Sequence, residues 1–187
     1  MGKGSALDVK GYVNYLKKDF CHLITALGAI LIAVAPFVPW AFYYINENGT
    51  KDSDFGSLIF MPKFALIDFV GDKKGVTIMS ILGVIMLLSG IILILWHVAP
   101  FSIVVSNIKH KFNISCLPYI LLGVVTVCIV LAMMNGELKE SIEAAREIME
   151  EYSQVLKGSA TYSVGPYVAS IGVVMSLIGN ILSGRRG

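Results

Sequence analysis

Charge is what this chain has least of. Only 15% of its 187 residues are Asp, Glu, Lys or Arg, against 56% hydrophobic, where an ordinary soluble domain carries nearer a quarter charged. The mean hydropathy is +0.74. The deficit is concentrated: apolar runs from about Phe20 to Tyr44, Gly75 to Trp96, Cys116 to Met134 and Tyr162 to Ser183 hold no Asp, Glu, Lys or Arg. An ionisable group inside a span is the usual mark of an ion or proton path, so its absence argues against a secondary transporter. Cysteine is scarce too. Cys21, Cys116 and Cys128 all fall at the boundaries of these runs or within them, which argues against a structural disulfide in an external loop. There is no H-E-x-x-H, no G-x-S-x-G and no P-loop. No basic run or RNA-binding signature points to nucleic acid. The chain therefore reads as non-enzymatic, with no cofactor expected.

What is present is hydrocarbon length. Each run has the roughly 20 residues that about 30 Å of lipid requires, and lipid demands internally paired backbone, hence helices. The expectation is a single all-α integral membrane domain over residues 1–187: a four-transmembrane-helix bundle with a small external cap. The spans are 20–44, 75–96, 116–134 and 162–183, and the external loops are 45–74 and 135–161. Ala33-Val34-Ala35 mimics a signal-peptidase site, but Pro36 directly after it and the continuing apolar run favour a retained anchor. Pro36 and Pro39 should loosen the outer end of that span, with Trp40, Tyr43 and Tyr44 as an aromatic belt. Lys3, Lys10, Lys17, Lys18, Lys109, Lys111, Arg185 and Arg186 place both termini and the middle loop in the cytoplasm by the positive-inside rule, with Lys73 and Lys74 as exceptions.

Outside the spans, Asn46-Glu47-Asn48-Gly49 is a turn signal, and Asn48-Gly49-Thr50 matches the N-glycosylation pattern. The following stretch is apolar, with Leu58, Phe60 and Phe64, and is expected either to pack on the bundle or to meet a partner or lipid. Residues 137–157 read as an amphipathic helix whose stripe includes Ile142, Met149 and Tyr152. It covers the first loop or pairs with another chain. In the last run Gly165, Ala169, Gly172, Ser176, Gly179 and Ser183 recur every four and three residues, a seam that lets backbones approach closely. Packing within the chain is the main reading and an oligomer contact the other; Thr25, Ala29 and Ala33 are the facing candidates. His22 and His97 should lie at one depth near the cytoplasmic side, as a haem or metal site would need, although interfacial histidines are ordinary.

Val34-Ala35-Pro36-Phe37-Val38-Pro39-Trp40, followed by a polar loop and a glycine-spaced last helix, resembles a loose class of small prokaryotic four-span membrane proteins of unknown function. Its layout is similar to that of claudins and tetraspanins. The claudin Gly-Leu-Trp with two external cysteines and the tetraspanin Cys-Cys-Gly are missing. The functional expectation is a membrane scaffold or accessory protein that contacts a partner protein, lipid or its own copies through its external face. A pore or transporter subunit is the alternative, and a haem or metal redox protein a third.

Overall fold

The computed structural model describes residues 9–11, 13, 20–47, 49–60, 73–98, 116–151 and 156–184. Helix α1 (Phe20–Val34) passes through a 3-10 turn at Ala35–Phe37 into strand β1 (Pro39–Glu47), which is followed by β2 (Thr50–Ser57). Helices α2 (Lys73–Val98), α3 (Leu117–Met133) and α4 (Gly136–Glu151) come next, then strand β3 (Leu156–Tyr162) and helix α5 (Gly165–Gly184).

The all-α four-transmembrane-helix bundle is therefore corrected. β1, β2 and β3 form an antiparallel sheet in the order β2-β1-β3, and the fold is mixed α/β. Among the described residues three helices are long and apolar enough to cross a membrane: Phe20–Phe37, Thr77–His97 and Gly165–Ser183. The apolar helix Leu117–Met133 is shorter, with 17 residues, roughly 26 Å at 1.5 Å per residue.

The expected first span divides because of its two prolines. Pro36 is the second residue of the 3-10 turn, Val38 turns extended at φ −75° and ψ 150°, and its N–H is held by Ala35 O at 3.2 Å. A residue before proline avoids the helical region, so Pro39 makes the change of direction local. Trp40 to Ile45 then supplies aromatic and β-branched side chains that suit a pleated surface. Trp40, Tyr43 and Tyr44 are thus strand residues and not the end of a helix. Trp40 is 1% exposed, and its Nε1–H donates to Ala35 O at 2.8 Å. Glu47 pairs with Thr50, so two residues make the turn, and Gly49 takes φ 89°. That is the left-handed geometry an Asn-Gly hairpin turn needs.

The amphipathic helix is shorter than its sequence stripe. It ends at Glu151, and Leu156, Gly158 and Ser159 belong to β3. Tyr162 closes β3, so α5 starts three residues later at Gly165.

α1 and α5 run antiparallel in the closest helix pair. A Cβ on Gly172 would stand 2.9 Å from Gly28 O and 3.0 Å from Ile32 Cγ1. One on Gly28 would stand 2.6 Å from Gly172 O. Gly179 lies against Thr25, and Gly165 against the Trp40 ring. On the other flank of α1, Gly90 of α2 lies against the Ala33 backbone. α3 packs on α2 and α5, and α4 packs on β3.

Candidate interaction face

The helices present one end of the molecule to the sheet. β1 leaves α1 there and β3 enters α5, with Ser163 N–H donating to Trp40 O at 2.9 Å. The hairpin turn at residues 48–49 is the far tip.

Strand alternation splits the sheet into two unlike faces. From the registers, Ala41, Tyr43 and Ile45 share one face with Asp52, Asp54 and Gly56 of β2 and with Gly158, Ala160 and Tyr162 of β3. The Tyr43 hydroxyl donates to Asp52 Oδ2 at 3.3 Å along this face. α4 covers it. Ile142, Ala145 and Met149 are 2%, 3% and 7% exposed, and Met149 Sδ lies 3.0 Å from where a Cβ on Gly158 would be. Arg146 Nε–H donates to Ala160 O at 2.7 Å. Burial, the Asp52 charge and the hydrogen bond to Asp52 all raise the Tyr43 pKa. Burial and Glu143 raise that of Tyr162, against the opposing pull of Arg146.

The other face is not covered by α4. Across it, Phe42 sits between Phe55 and Thr161, Tyr44 between Ser53 and Ser159, and Asn46 between Lys51 and Lys157. Phe55 is 60% exposed; Lys51, Ser53, Lys157, Ser159 and Thr161 are exposed, and Phe42, Tyr44 and Asn46 are half-buried. Among the described residues the face carries no carboxylate, because Glu47, Asp52 and Asp54 all belong to the opposite side by register. Its charge is two lysines in one row at the tip end. Asn46 Oδ1 is buried with no hydrogen-bond donor.

Several residues expected at an interaction surface serve the interior instead. Leu58 is 0% exposed and lies 2.8 Å from where a Cβ on Gly83 would be. Ile142 and Met149 are buried under the sheet. Phe60 is 53% exposed beside Phe37, with ring centroids 6.4 Å apart. Phe64 and Tyr152 lie outside the described residues, as does Asn48 of the glycosylation triplet.

In the small-residue seam, Gly165, Ala169, Gly172, Ser176 and Gly179 are buried and Ser183 is half-buried. Ser176 Oγ–H donates to Thr25 O at 3.4 Å. Thr25 and Ala29 are fully buried, whereas Ala33 meets α2. The structure brings His22 and His97 together, with ring centroids 5.9 Å apart in an edge arrangement. Among the described residues no group of three or more His, Cys, Asp or Glu could hold a metal ion.

The open sheet face was missed because no single segment announces it. Asn48-Gly49 after an aromatic and β-branched stretch was its one local signal, while Lys51 and Lys157 become neighbours of Asn46 only through the pairing.

No family model, curated protein or solved structure matches this chain.

Proposed function

We propose that this protein is a non-enzymatic membrane scaffold or accessory protein that recognises its partner through the open face of the sheet. The helical part sits in the bilayer, and the sheet with α4 stands on the outer side. The basic residues near the termini support that orientation, since Phe20 of α1 and the end of α5 lie together at the end opposite the sheet. The observation that carries the reading is a solvent-exposed face with Phe55 and two lysines, free of carboxylates among the described residues, with α4 packed on β3 at its other side. A photo-crosslinking residue at Ser53 or Phe55, introduced in native membranes, is expected to trap a neighbour. Capture at neither position, with the protein folded and inserted, overturns the reading.

A second reading rests on the His22–His97 pair. A centroid spacing of 5.9 Å is compatible with two imidazoles sharing one metal ion, given metal–nitrogen bonds of roughly 2.0–2.1 Å. Elemental analysis and a visible spectrum of the purified protein decide it: a colourless, metal-free preparation that binds no added copper or zinc ends this alternative.

A further inference from the structure

We infer that the partner on the open sheet face is a second copy of this chain, docking the outer side of its α4. The inference rests on the functional reading above and names the partner. α4 buries Ile142, Ala145 and Met149. At 100° per residue, Glu147 and Glu151 point directly away from that stripe, with Glu143 and Glu150 on the flank. Glu147 and Glu151 are exposed and four residues apart, a like-charge pair that costs helix stability unless a cation faces it. Lys51 and Lys157 are likewise two cations in one row, separated by β1 and so by about 10 Å of sheet. Among the described residues none of these four groups forms an ion pair; the ion pair on α4 is Lys139 with Glu143 at 3.8 Å. The molecule thus has an acidic back and a basic front, each with its charge uncompensated.

Height decides whether they can meet. Copies inserted in one bilayer in one orientation are related by movement in the membrane plane, so complementary groups must stand at the same level. Arg146 bonds Ala160 and Met149 touches the Gly158 position, so α4 climbs toward the tip as β3 descends from it. Glu147 and Glu151 therefore bracket the level of Gly158, beside Lys157 and its row partner Lys51. A lipid headgroup fits less well, because the lysine row lies roughly 17 Å along β1 from Ala41 at the helix end, at about 3.3 Å per residue. Front-to-back contact is heterologous and generates rings or open rows. Phe55, Ser53 and Ser159 would be covered by the incoming helix.

The test uses the full chain in phosphatidylcholine vesicles with a water-soluble carbodiimide. This reagent joins an amine and a carboxylate directly as an amide with loss of water, so it reports only touching pairs. A ladder of dimers and larger species is expected, with peptides bearing Lys51 or Lys157 joined to peptides bearing Glu147 or Glu151. K51E/K157E and E147K/E151K should each lower the crosslinked fraction about tenfold, as loss of about 1.4 kcal/mol of contact would. High salt should lower it too. The chain carrying all four changes, or a mixture of the two double variants, should regain the ladder. A wild type that stays single in crowded vesicles overturns the inference, as does a ladder indifferent to both reversals. So does failure of the mixture to recover while both variants melt like wild type. If photo-crosslinkers at Phe55 trap another molecule while no ladder forms, self-docking fails and the functional reading stands.

Discussion

At the scale of single residues, the helix pair α1–α5 is controlled by atoms that are not there. Gly28 and Gly172 bring two backbones within a distance that no Cβ tolerates, and Gly179 leaves room for Thr25. Overpacking a closed interior costs about 1–3 kcal/mol, so Gly172→Leu is expected to lower the thermal midpoint in mild detergent. Gly123, which meets nothing within 4 Å, should accept Ala without that loss. The seam on α5 was legible because small residues at alternating spacings of four and three mark one stripe whatever they face. Its partner was only partly legible: Gly28 is the main counterpart, and Ala33, at a similar spacing, turns to Gly90. Which flank of α1 each residue serves depends on helices distant in sequence.

Tyr43 carries a pH prediction at the same scale. Its pKa is raised in the fold, so the folded state holds the phenol proton more tightly than the unfolded chain does. That contribution is complete below the unfolded value near 10 and is lost as pH rises through the folded value. Wild type should therefore lose stability in the alkaline range, and Tyr43→Phe should show a shallower alkaline slope in melting followed by tyrosinate absorbance. The variant should be somewhat less stable at neutral pH, because it forgoes the bond to Asp52.

Among the elements, the β1–β2 hairpin depends on one backbone angle. Gly49 at φ 89° is a conformation that costs an L-residue roughly 1–2 kcal/mol, more when branched. Gly49→Val should accelerate amide hydrogen exchange in residues 39–57 while leaving the helices protected. α4 depends on its stripe: Ile142→Ala removes a side chain that is 2% exposed and should cost about 2–5 kcal/mol, releasing the covered face of the sheet. Hydropathy alone could not separate α1 from β1, since Phe20 to Tyr44 is one charge-free run and a transfer scale does not distinguish a helix from a buried strand. Pro36, Pro39 and the aromatic cluster that follows held the needed information, as did Asn48-Gly49. β3 was harder. Leu-Lys-Gly-Ser-Ala-Thr-Tyr has little strand character of its own, and it becomes a strand because β1 offers it an unpaired edge.

For the whole molecule, the sheet at one end and the helix termini at the other make sidedness testable with native groups. Cys116 is exposed, whereas Cys21 and Cys128 are buried. Under the proposed orientation, an impermeant maleimide should label Cys116 only after cells are opened, while Lys51→Cys should react in intact cells. Labelling in the reverse order would invert the orientation. That the chain has helices apolar enough to cross a membrane was plain in its composition. The lengths of its apolar helices were not, because the run from Cys116 to Met134 forms a helix of 17 residues, Leu117–Met133.

The placement of β1 at the centre of the sheet also has a consequence in time. Its first neighbour arrives two residues later, but its second begins at Leu156, which pairs with Glu47, about 110 residues downstream. At about 5–20 residues per second of synthesis, β1 waits roughly 5–20 s with one edge open. During that interval a half-built sheet has an unpaired edge, with Trp40 and Tyr43 awaiting their covers. The last strand to be made is thus the one that lets the first strand close, and a nascent chain stalled before β3 should be the form of this protein most prone to capture by other strands.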